Sequence, residues 1–170
     1  MSTDQQQLFI KGSIASGQGK VLEENIITTF IRKGFTPVMW SEWNKDNSKY
    51  GEELLLKNVP FKNLYGHDGY TEFLLLSKRY NTEIRIECKW QQSSGSVDEK
   101  FPYLYLNCIE AMPEKHVVIV IDGGGARDGA IKWLKNAAEK GLYRREENKD
   151  KKIDVVTLSE FIQWTNLRFR

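Results

Sequence analysis

Between Tyr70 and Gln91 the chain writes two apolar runs around one polar gap. Tyr70-Thr71-Glu72-Phe73-Leu74-Leu75-Leu76 reads as a strand. Ser77 to Asn81 is a polar turn, and in Thr82 to Gln91 Ile84 and Ile86 alternate with Glu83, Arg85 and Glu87, the period of a strand with one buried and one polar face. The short connection predicts an antiparallel hairpin. Helical spacing appears earlier, where Leu22, Ile26, Ile27 and Phe30 form one stripe of a helix from about Lys20 to Lys33, stopped by Gly34 in a left-handed cap. Phe35 to Trp43 reads as a first strand with Pro37 near its start. Asn44 to Gly69 reads as an excursion from the sheet containing a short helix over Glu52 to Lys57.

Downstream, Ser96-Val97-Asp98-Glu99 has the form of a capping box. The helix it opens runs to about Ala111, with Val97, Phe101, Leu104, Tyr105 and Cys108 inward and a bend or interruption expected at Pro102. His116 to Asp122 is continuously apolar, as in a strand covered on both faces. Gly123-Gly124-Gly125 then leads into a helix from Ala126 to Lys140, with Ala130, Trp133, Leu134 and Ala137 inward and Gly141 at its end. That helix start can hold an anion, but it lacks the glycine-lysine pattern of a nucleotide loop, so the glycines read as a tight turn. Ile153 to Leu158 gives a last strand, and Ser159 is expected to cap a terminal helix containing Phe161, Ile162 and Trp164.

The 170 residues suit one core, and 40% hydrophobic with 28% charged residues argues against disorder. A net charge of +2 neither requires nor excludes nucleic acid. Cys88 and Cys108 are the only cysteines and show neither metal-ligand spacing nor a disulfide framework, which points to a reducing, cytoplasmic setting. No apolar run approaches membrane-spanning length, and residues 1–16 read as an arm in which only Leu8, Phe9 and Ile10 have something to bury.

The candidate chemistry lies on the hairpin. Continued alternation puts Glu87, Lys89 and Gln91 on one side of the strand, successive positions about 7 Å apart, and antiparallel pairing brings Glu72 near Glu87. Two carboxylates beside a lysine can hold a hard divalent cation through oxygen while the lysine orients or deprotonates a water. The plain alternative is a solvated face with a cross-strand charge pair. Asp68, in a glycine-flanked turn, competes with Glu72. Glu23 falls near the centre of the first helix's apolar stripe, either reaching solvent or serving a site.

Glu87-Cys88-Lys89, preceded by an acid on the previous strand, resembles the PD-(D/E)XK nuclease superfamily, whose pattern is an acid, a gap, then acid-x-lysine. Trp90 to Tyr103 looks like the segment that follows this motif in restriction-endonuclease-like members, while Thr71-Glu72 replaces the usual Pro-Asp. The resemblance spans roughly residues 17 to 158. It implies an α/β fold: an αβββαβ restriction-endonuclease-like core, a central mixed sheet flanked by helices, with a C-terminal αβα extension, residues 17–170 forming one nuclease-like domain after the arm. It also implies Mg²⁺, with Mn²⁺ as substitute, held by Glu72, Glu87 and the Cys88 backbone carbonyl, with Asp68 as the substitute for Glu72. Lys89 would then position the attacking water, Glu23 would complete the outer shell and Gln91 would orient water or DNA. Gln92, Lys100 and Arg127 are the expected phosphate contacts. The implied partner is double-stranded DNA and the implied assembly a homodimer, in a restriction-type, phage-borne or mobile-element endonuclease. A structure-specific junction nuclease and a catalytically silent nuclease-fold binding module are the alternatives.

Overall fold

The computed structural model describes residues 19–91 and 97–170. The expected arm, Gln92 and the start of the capping box at Ser96 lie outside the described residues. Helix α1 covers residues 19–31, with Leu22, Ile26 and Phe30 fully buried. Strand β1 is Thr36–Met39 and turns at once into a single helical turn, α2, Trp40–Trp43, so the strand expected to reach Trp43 ends four residues sooner. The following segment is the larger correction: the helix expected over Glu52 to Lys57 is instead a ten-residue strand, β2, Glu53–Lys62. Leu54, Leu55 and Leu56 carry no strand period, but each is buried and they face Leu76, Leu75 and Leu74 of β3, Asp68–Ser77. Tertiary pairing overrides leucine's helical preference. Pro60 is tolerated because it lies beyond Lys57, the last β2 residue paired with β1, where no strand among the described residues pairs on that side.

Strand β4, Thr82–Trp90, completes the meander; α3, Val97–Glu110, runs uninterrupted through Pro102. Then come β5, His116–Asp122; α4, Asp128–Lys140; β6, Lys152–Val156; and α5, Leu158–Arg168. The six strands form one mixed sheet in sequence order. β1 is parallel to β2, β2 to β4 are antiparallel, and β4, β5 and β6 are parallel. This is the αβββαβ architecture with one more strand before α3 than expected. The cap of α5 is Thr157, closing a capping box with Glu160, rather than Ser159.

Helices cover both faces of the sheet. On one, Leu22, Ile26 and Phe30 of α1 and Phe161 of α5 pack with Phe73, Leu75, Ile84 and Ile86. On the other, Phe101, Leu104 and Tyr105 of α3 and Leu134 and Ala137 of α4 pack with Val117, Ile119 and Ile121. The expectation that β4 has a solvent-facing polar side therefore fails: Arg85 is 2% and Glu87 6% exposed. Arg85 is held by the carboxylate of Glu114 on the loop before β5 and by Thr71 Oγ1 at 2.8 Å.

The junction of β4 and α4 is set by Gly123. Gln91 N–H donates to the Asp122 carbonyl, and the Gln91 carbonyl accepts from Gly125 N–H at 2.8 Å. Gly123, at φ +104°, leaves only 2.3 Å between a hypothetical Cβ and the Gln91 oxygen. Gly123→Ala is expected to cost roughly 2–4 kcal/mol in urea unfolding, from left-handed strain plus displacement of Gln91. Gly124→Ala, at φ +69° with open space around it, is expected to cost about 1 kcal/mol.

Candidate active site

The meander is regular over its hairpin end and parts at the other. The β3–β4 pairing runs from Ser77–Thr82 to Phe73–Ile86 and stops. Two residues past Ile86, the Cys88 N–H donates not to a strand carbonyl but to Glu72 Oε2, at 2.8 Å. The pleat changes at the same level of β2. Val59 shares a core cluster with Leu54 and Leu56, a spacing that strand alternation forbids, and Asn58 between them has φ +55°. Asn58 lies opposite Glu72 in the register set by Lys57–Phe73 and Val59–Thr71. Asparagine is among the few residues that adopt this conformation readily, so the kink that turns Glu72 into the gap rests on a suitable side chain.

Around that gap stand the residues expected from sequence. Glu87 is almost wholly buried; its Oε1 accepts from the Lys89 ammonium, which also donates to the Cys88 carbonyl at 3.2 Å. Among the described residues its Oε2 is buried with no hydrogen-bond partner. Burial, opposed by Lys89 and reinforced by Glu72, pushes the Glu87 carboxyl up to about 7. Burial works to lower Lys89, but Glu87 and Glu72 outweigh it and hold the ammonium above its usual value. Lys89 is accordingly a charged donor here.

Glu23 reaches Glu72 rather than Glu87. The two line a cleft of about 430 Å³ with Lys57, Asn58 and Tyr70. Partial burial and then Glu72 raise the Glu23 carboxyl, against Lys57 and Lys20. Glu87 and Lys89 open instead onto the α3 side, where Lys100 stands at the rim. Asp68 lies at the exposed start of β3 in an ion pair with Lys62 at 2.6 Å. Gln91 is tied through its backbone to the turn after β5, which also sets the α4 start beside it; Arg127 is the exposed residue preceding that helix. Lys57 is hidden at the end of the segment expected as a short helix, and only the pairing of β2 with β3 places it beside Glu23 and Glu72.

Among the described residues no three His, Cys, Asp or Glu side chains form a ready-made metal shell. The set that does converge, two carboxylates and a main-chain carbonyl, is all oxygen, the donor chemistry of a hard divalent cation. An unpartnered, buried carboxylate oxygen beside a second carboxylate is costly without a cation to meet it. These residues fit such an ion.

A mixed sheet flanked by helices, with an acid turned into a strand gap and acid-x-lysine on the neighbouring strand, defines a restriction-endonuclease-like nuclease fold. The profile of the PD-(D/E)XK nuclease superfamily domain matches residues 14–169, and the chain belongs to that superfamily. No curated protein and no solved structure gives a significant match. Among the described residues no helix is long and apolar enough to cross a membrane.

Proposed function

We propose that the protein is a divalent-metal-dependent DNA endonuclease of restriction, phage or mobile-element type, acting as a homodimer so that two sites meet two strands. The observation that carries this reading is the buried Glu87 oxygen, unpartnered among the described residues, on a carboxyl that neighbouring Glu72 helps to raise. Glu72, Glu87 and the Cys88 carbonyl would hold Mg²⁺ or Mn²⁺. When bound, the ion supplies Lewis-acid stabilisation of charge developing on the scissile phosphate. Lys89 contributes a fixed ammonium that orients water and balances negative charge. Gln91 extends the same strand side, and Glu23 with Lys57 sets the electrostatics on the α1 side of Glu72. Glu72 is preferred to Asp68 because it, and not Asp68, touches the acid-x-lysine strand.

Incubation with plasmid and linear duplex DNA, in Mg²⁺ and in chelator, tests the reading: ion-dependent phosphodiester cleavage supports it. If duplex, branched and single-stranded DNA all stay intact in the presence of folded protein, the chain is a silent scaffold. Thermal melting gives an independent check. Mg²⁺ at about a hundredfold excess over its Kd is expected to raise Tm by about 5–10 °C, and Glu87→Gln is expected to remove that shift.

A further inference from the structure

We infer that the α3 side of the site is a pocket for one unpaired nucleobase next to the phosphate being cut, so that the preferred substrate is DNA whose strand is unpaired at the cleavage point. This rests on the metal-dependent DNA cleavage proposed above, not on the restriction-type cutting of paired duplex. A cavity of about 200 Å³ is walled by Phe61 of β2, Tyr103 and Leu104 of α3 and Met112, and is closed at one end by Glu87 and Lys89. An occupant that fills it therefore lies against the two side chains assigned to the chemistry. In a strand bound there, that occupant is the base of a nucleotide flanking the scissile phosphate. Its walls are apolar and aromatic, and Lys100 at the rim supplies the positive charge a neighbouring phosphate needs.

The mouth carries the second observation. Tyr65, at the tip of the β2–β3 hairpin, is 70% exposed, and its ring stacks on Tyr103 at 5.5 Å between centroids with 18° between planes. The tip is held in place: Asn63 Oδ1 accepts from the N–H groups of Tyr65 and His67, and Leu64 N–H donates to Asn107 Oδ1 at 3.1 Å. Asn107 also donates to the Tyr103 carbonyl at 2.8 Å, so one buried side chain fixes both aromatic walls. A large ring held rigidly in water beside an aromatic pocket is a stacking platform. Paired bases present no free face to such a platform, and an unpaired or extruded one does.

Fluorescence anisotropy in Ca²⁺ with a fluorescein-labelled duplex, the same duplex carrying a single-nucleotide bulge, and the same duplex with a single-stranded flap tests the pocket. Cleavage of the same three substrates is followed in Mg²⁺. The wild type is expected to bind and cut the bulged or flapped DNA at least about tenfold better than the paired duplex. Tyr65→Ala is expected to weaken binding to the unpaired substrates by roughly 5- to 100-fold, and Tyr65→Trp to retain it, with Tm unaffected at so exposed a position. If all three substrates are bound and cut alike and Tyr65→Ala matches wild type, the pocket assignment is wrong while the nuclease stands. If none is bound or cut, the nuclease reading falls and the pocket with it.

Discussion

Glu87→Gln is expected to lower Mg²⁺-dependent DNA cleavage by about a thousandfold while leaving the protein at least as stable in chelator as the wild type. The two halves have one cause. The Glu87 carboxylate is buried, carries one oxygen without a partner among the described residues and is pushed towards neutrality by its surroundings. A neutral amide of the same shape removes the desolvation cost of the charge. Lys89 then loses a partner, but its side chain is 34% exposed and can turn to water. The same change removes the charge that would hold the cation, and losses of 10²–10⁴ are typical when a group acting on the reacting centre is deleted. Lys89→Met is expected to lose activity on a similar scale, because a raised ammonium acts as a donor that methionine cannot replace. Circular dichroism melts and single-turnover cleavage on the same preparations check this. A carboxylate present only to pair with Lys89 would behave in the opposite way, with Glu87→Gln destabilising the protein and sparing cleavage.

Part of the site is legible in the sequence because local patterns set it, and part is not because long-range pairing does. The β3–β4 hairpin was readable because alternating isoleucines and a polar turn fix its register locally, and that register carries Glu72 to the level of Glu87 and Cys88, where the pairing ends. Glu23 could be flagged because an acid on an apolar helix face is itself an anomaly, although its neighbour proved to be Glu72. β2 was hidden because three consecutive leucines have no period and Pro60 argues against a strand until it is known that the pairing with β1 ends at Lys57. The pleat reversal at Asn58 left only the trace that asparagine accepts positive φ, and Lys57 was misplaced along with its strand. Arg85 shows the same limit: alternation assigned it to an open face, while its partner Glu114 lies 29 residues away, beyond any local pattern.

Glu114→Ala is expected to destabilise the protein by about 3–5 kcal/mol, the usual cost of leaving one half of a buried ion pair without the other. Arg85 is 2% exposed. Its Nε and Nη2 engage both Glu114 oxygens, Nη2 at 2.7 Å, while Nη1 donates to Thr71 Oγ1 at 2.8 Å and the Val59 carbonyl at 3.3 Å. Removing Glu114 leaves a buried guanidinium with two neutral acceptors and without the carboxylate that pairs with it. Replacing both residues, Arg85→Met with Glu114→Leu, removes the unmet charge, and buried pairs exchanged in this way for apolar residues are commonly neutral. The double variant is therefore expected to recover most of the stability lost by Glu114→Ala, and a double-mutant cycle in urea measures the coupling. Near-additive losses would show that packing alone, and not the pair, sets the cost. The double variant also separates stability from positioning. Thr71 directly precedes Glu72 on the parted side of β3, and Arg85 stands two residues before Glu87 on the paired side of β4, so the pair clamps the two strands together across the gap. A folded double variant without that clamp is expected to show a lower kcat at little changed KM, since displacing reacting groups by about 1 Å costs on the order of a hundredfold while leaving the DNA-contacting surface intact.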